Sequence, residues 1–188
     1  MVEQRFVGIW KLVSWNQLVD GATVAYLGAG ATGVLIYSVD GRMSAQIMAA
    51  NRSRMGMPPE RARNLAMNLL RPWKAREAAK GLGAVFRYFR ASLSYVAYAG
   101  TYEVVGDEVI HHVDMSLIPD WTGTDQRRRF RFECDGSRLV LIAPNSDATN
   151  EHTLTWNRAE AFGLTATRMP AAQQCAGADS RSDGLHDR

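Results

Sequence analysis

The sequence predicts an all-β protein: a closed, mainly antiparallel barrel of eight to nine strands carrying one helical insertion at about 52–97. Three observations predict it. Residues 101–105, 108–118 and 124–134 alternate apolar and polar side chains between short turns such as Gly106-Asp107, and a period of two marks a half-buried strand. The same alternation runs through 6–18, 34–39 and 42–48, punctuated by Asp20-Gly21 and Asp40-Gly41, which are hairpin turn signals. With this many antiparallel strands, closure into a barrel removes the exposed edges that an open sheet would carry.

Taken in order, 6–18 reads as a long first strand with Gly8, Trp10, Leu12 and Ser14 on one face, and 23–27 as a short return strand. The loop Gly28-Ala29-Gly30-Ala31-Thr32-Gly33 has the spacing of a dinucleotide fingerprint. That fingerprint needs a helix after its last glycine, so that the helix N-terminus meets the pyrophosphate. Here Val34-Leu35-Ile36-Tyr37 follows, a β-rich run, and no nucleotide site is expected. Pro58-Pro59 opens a helix with Ala62, Leu65, Ala66 and Leu69 at helical spacing; Pro72 ends or kinks it. A short second helix is expected at 73–80. A third is expected at 84–97, with Phe86, Phe89, Leu93 and Val96 on one face. These helices are either a lid over one end of the barrel or a pack against its outside. Strands resume at Tyr98 and continue through 137–143 and 151–158. Residues 1–169 are expected to form a single domain, and 170–188, nearly without large apolar residues, a disordered tail.

With 188 residues, 46% of them hydrophobic, the chain can build one sizeable core. No apolar run approaches the roughly 18 residues of a transmembrane helix. The N-terminus lacks the features of a secretory signal, so a cytoplasmic location is expected. The two cysteines, Cys134 and Cys175, suggest no disulfide framework, because Cys175 falls in the expected tail. Charge is unevenly spread. Residues 52–90 hold ten Lys or Arg against Glu60 and Glu77, a local balance of +8 within a chain of net +3. A solvated helical face accounts for this; contact with an anionic membrane surface through Arg61, Arg63, Lys74 and Arg76 is the functional alternative.

The informative residues are polar groups placed on apolar faces. His111 shares a face with Val113, Met115 and Leu117; Gln126 and Arg128 share one with Phe130 and Phe132. Burying such groups costs about 1–3 kcal/mol each unless they find partners. A ligand is one such partner; an internal ion pair or a rim position is the other explanation for Arg128. Tyr37, Tyr98, Tyr102 and Trp121 could contribute hydroxyl or aromatic contacts, and His152 shares an inward face with Leu154 and Trp156. His111 and His112 are adjacent on a strand, face opposite ways and cannot chelate one metal together, so no metal is expected. Arg127, Arg129 and Arg131 fall on the outer face without interleaved aromatics, which argues against nucleic acid. No nucleophile motif is present, and no cofactor is implied.

Several stretches resemble the lipocalin-like domain family of bacteria and fungi: Gly8-Ile9-Trp10-Lys11-Leu12-Val13-Ser14, then Gly33 to Tyr37 with Asp40-Gly41-Arg42-Met43-Ser44, and Ala97-Tyr98-Ala99-Gly100-Thr101-Tyr102. The most specific is His111-His112-Val113 through Trp121-x-Gly123-Thr124-Asp125-Gln126-x-Arg128. The resemblance covers most of 6–158 and implies an eight-stranded calycin-type barrel with an internal pocket. It also implies that Gly8 and Trp10 pack against Arg158 to close the barrel floor, the guanidinium stacked on the indole. The helical segment is longer than the family pattern. The function expected is binding of a small, largely apolar molecule bearing a carbonyl, carboxylate or phenol, held by Arg128 and Gln126, with His111, His152, the three tyrosines and Trp121 around it. The alternative is a cofactor-independent isomerase or cyclase acting on a conjugated carbonyl compound, in which His111 moves the proton and Arg128 stabilises the enolate.

Overall fold

The structure, a computed structural model, describes residues 3–19, 21–52, 54, 56–69, 82–144 and 151–160. Nine antiparallel strands are ordered β2-β1-β3-β4-β5-β6-β7-β8-β9, and β1 also pairs with β9. The strands are β1 (Gly8–Val19), β2 (Ala22–Ala25), β3 (Thr32–Tyr37), β4 (Arg42–Met48), β5 (Tyr95–Val105), β6 (Glu108–Ser116), β7 (Asp125–Glu133), β8 (Arg138–Pro144) and β9 (Glu151–Arg158). The β1–β9 ladder closes an eight-stranded barrel, and β2 lies outside it as a hairpin partner of the far half of β1. The glycine-rich loop leads into β3, a strand, as the β-rich run after it requires.

The floor is built from the N-terminus. Instead of starting the first strand, Phe6 ends a single helical turn, α1 (Glu3–Phe6), and is fully buried. Its ring meets Phe130 and Phe132 edge-on at 4.8 and 5.0 Å, and its carbonyl accepts the Trp10 indole N–H at 2.8 Å. Plugging the barrel favours the turn over two more residues of strand. Arg158 closes the same end. Its guanidinium stacks 4.2 Å from the Trp10 ring and donates to the carbonyls of Val7, at 2.8 Å, and Arg5. Gly8, at φ 139°, leaves room for it, since a Cβ there would lie 2.8 Å from Nη1 of Arg158.

Two bulges correct the simple alternation. In β1 the register shifts between Leu12 and Ser14, so Val13 is extra and Trp15 turns inward. In β6 Ala99 pairs with Met115 but Gly100 with Val113, which leaves Asp114 extra. Met115 and Leu117, expected on the face of His111, are therefore 66% and 44% exposed. Gly100 permits this bulge: a Cβ there would sit 1.8 Å from the His112 carbonyl oxygen.

Helices α2 (Pro59–Leu69) and α3 (Leu82–Leu93) separate β4 from β5. The third helix ends earlier than its periodicity predicts. Residues 95–98 join β5, whose Val96 and Tyr98 are buried against β4. Phe86, Phe89 and Leu93 are exposed, not packed on the barrel. The expected helix at 73–80, with Lys74 and Arg76, and the expected tail at 170–188 lie outside the described residues. The cysteine expectation turns on Cys175, which also lies outside the described residues.

Candidate functional site

Aromatic packing fills the lower half of the barrel, and the upper half encloses a cavity of about 490 Å³. Leu35, Ala45, Ile47, Leu141 and Leu154 provide an apolar lining from four strands. Its polar members are Tyr98 from β5, Gln126 and Arg128 from β7, and His152 from β9. Trp15, Tyr26 and Trp121 line the end away from the floor, where Tyr26 is 48% exposed and so opens the cavity to solvent. The chain leaves the sheet at Met48 and returns at Tyr95 on that side, yet no described residue of α2 or α3 lines the cavity.

Five of the expected residues thus line one cavity: Tyr98, Trp121, Gln126, Arg128 and His152. His111 and Tyr37 lie behind it. His111 is fully buried, with its Nε2 2.7 Å from the Tyr37 hydroxyl and its Nδ1 3.0 Å from the Tyr98 hydroxyl. Tyr102 sits lower still, against Tyr37 and Phe6, and donates to the Ser38 carbonyl at 3.2 Å. Alternation gives the face of a strand but not the depth along it, which is why these residues could not be separated from the wall in advance.

Electrostatics keep the buried network neutral. Burial, and secondarily the charge of Arg128, hold the His111 imidazole well below its ordinary value of 6.5. Burial raises the phenols of Tyr37 and Tyr98, against the pull of Arg128. Arg128 shares the cavity lining with Tyr98, whose phenol its charge lowers against burial, and donates to Gln126 Oε1 at 3.2 Å and to the Arg127 carbonyl at 2.9 Å. No Asp or Glu lines the cavity, and among the described residues no carboxylate pairs with Arg128. Trp121 supports the Tyr98 ring edge-on at 5.6 Å. Both bulges bear on the site: Trp15 and Ile118, which alternation did not place here, each follow one. Trp15 stacks on Tyr26 at 4.5 Å and donates its indole N–H to Nδ1 of His152 at 3.2 Å. On the outer face, Arg127 pairs with Glu108, Arg129 with Glu151 and Arg131 with Glu133. Among the described residues, no three His, Cys, Asp or Glu come together as metal ligands.

The model of the lipocalin-like domain family matches residues 7–159. No curated protein matches the sequence significantly. Among solved structures, a mutant of the fluorescent protein UnaG is similar at 15% identity and a TM-score of 0.38, over 86% of this chain and 100% of that one. The N-lobe of lactoferrin binding protein B of Moraxella bovis is similar at 8% identity and a TM-score of 0.35, over 81% of this chain and 60% of that one.

Proposed function

The chain belongs to the lipocalin-like domain family, and from that premise and the chemistry of the cavity wall we propose that it binds a small, largely apolar molecule through a carbonyl, carboxylate or phenol group. The observation that carries this reading is Arg128: a cation in a mostly apolar wall, with no carboxylate among the lining residues to neutralise it. A half-buried guanidinium in an apolar lining favours a charged or strongly polar oxygen, and a bound ligand supplies one. A volume of about 490 Å³ falls within the ordinary range of small-molecule sites, roughly 300–1,000 Å³. Gln126 orients Arg128, and Trp15, Tyr26 and Trp121 would hold the body of the ligand at the open end.

The test is native mass spectrometry of the purified protein, followed by denaturing extraction. The expected result is a retained molecule of defined mass bearing one of these oxygen groups. A protein that is empty and also fails to enhance the fluorescence of phenylnaphthylamine, a neutral apolar probe, would refute the reading.

One observation favours the alternative of a cofactor-independent isomerase or cyclase: the hydrogen-bonded chain Tyr37–His111–Tyr98 ends on the cavity wall beside Arg128. In that reading Arg128 stabilises a developing enolate, and Tyr98 is the group that touches the substrate, with His111 behind it. It requires that a bound conjugated ketone be converted at unchanged mass to a species of different chromatographic retention.

A further inference from the structure

A neutral imidazole has one N–H, and the surroundings of His111 determine which nitrogen carries it. Tyr37 lies behind the cavity wall, and His111 Nε2 is the hydrogen-bond partner of its hydroxyl. If Nε2 donated, the buried Tyr37 hydroxyl proton would have no acceptor among the described residues, the costly arrangement for a buried donor. Tyr37 therefore donates to Nε2, and His111 carries its proton on Nδ1 and donates it to the Tyr98 oxygen at 3.0 Å. The Arg128 guanidinium lines the same cavity and acts electrostatically on the Tyr98 phenol. Tyr98 is on the wall, so its own proton turns into the cavity.

The rest of the wall has the same polarity. Gln126 Oε1 already accepts from Arg128, and His152 Nδ1 from Trp15. The Trp156 indole N–H is buried without a partner among the described residues and offers no acceptor either. Donors are thus in surplus, and the two acceptors are engaged.

We propose that Tyr98 and Arg128 form a donor pair that recognises the ligand by an unprotonated oxygen, that of a carboxylate or a conjugated ketone, with His111 and Tyr37 as positioning residues that turn the Tyr98 proton toward it. This rests on the reading of the cavity as a ligand site, and it narrows the ligand class by removing donor groups such as a neutral phenol from that end.

Two fluorescent probes with the same arylamine body test it on the full chain: anilinonaphthalene sulfonate, which carries an anionic acceptor group, and phenylnaphthylamine, which does not. Both should bind. Tyr98→Phe should weaken the sulfonate probe about tenfold and leave the neutral probe within about twofold. Tyr37→Phe, which touches no ligand, should weaken the sulfonate probe about two- to threefold by releasing the tautomer, again sparing the neutral one. Equal effects on both probes, or none on either, would overturn the proposal. Imidazole nitrogen NMR gives a readout independent of affinity: the His111 proton should be on Nδ1, and a proton on Nε2 overturns the proposal even where both probes bind. Failure of both probes to bind the unmodified protein would instead remove the ligand-site reading, and the proposal with it.

Discussion

Replacing Arg158 by methionine removes the closing contact of the barrel floor while keeping a flexible stem of similar reach. Three losses set the magnitude. The guanidinium lies 4.2 Å from the Trp10 ring, and a part-desolvated cation–π contact of this kind contributes about 1 kcal/mol. Its bonds to the Val7 and Arg5 carbonyls are charge-assisted but partly open to water, so about 1 kcal/mol each is a fair share. The sum is about 3 kcal/mol, or roughly 6–12 °C in Tm for a domain of this size. Urea unfolding should show a lower midpoint at unchanged slope, because the surface exposed on unfolding does not change. Arg158→Lys should recover only about a third, since an ammonium reaches one carbonyl but cannot stack in a plane. Gly8→Ala should be non-additive with Arg158→Met. The added Cβ, 2.8 Å from Nη1, displaces the same guanidinium, so that share of its cost is gone once the arginine is absent, while the strain of a side chain at φ 139° remains. A loss under about 1 kcal/mol for Arg158→Met, or full recovery by lysine, would refute the argument and leave floor closure to Phe6 and Trp10.

Gly100→Ala should destabilise the barrel by about 3 kcal/mol or more, because a Cβ 1.8 Å from the His112 carbonyl forces β5 and β6 apart at the bulge; an unchanged urea midpoint would sink that reading. The two adjacent histidines should give opposite pH dependences of stability. His111, held below 6.5 by burial, contributes stability present above the unfolded value and lost as pH falls toward its folded value. His112, raised by its hydrogen bond to Asp125 and the charges of Asp125 and Glu103, contributes stability present below about 6.5 and lost as pH rises through its folded value. Its side chain is 38% exposed, so screening keeps that share under about 1 kcal/mol. Thermal unfolding of His112→Gln against the parent protein at several pH values checks the sign: the gap should narrow as pH rises, and a widening gap would contradict it.

The sequence made the barrel legible because strand alternation, Asp-Gly turns and the Gly8-x-Trp10 and Arg158 pattern all report on the backbone's own requirements. The placement of the site was legible only where the alternation was unbroken. Tyr98, Gln126, Arg128 and His152 follow their strands' parity and reach the cavity wall. Trp15 and Ile118 lie beyond single-residue bulges, and there the parity inverts. A signal for one bulge was present: Gly100 interrupts an otherwise side-chain-rich strand, and a glycine in that setting marks a close backbone approach. No comparable signal marks Val13, whose side chain simply faces solvent at 51% exposure. Depth is a separate matter. His111 and Tyr98 both face inward, and only their hydrogen bond across β5 and β6 puts one behind the other. That ordering changes the chemistry more than any face assignment, because it moves the ligand-facing proton from an imidazole to a phenol. Parity therefore sets the filled floor, while bulges and cross-strand register set the open end and decide which polar atom a ligand meets.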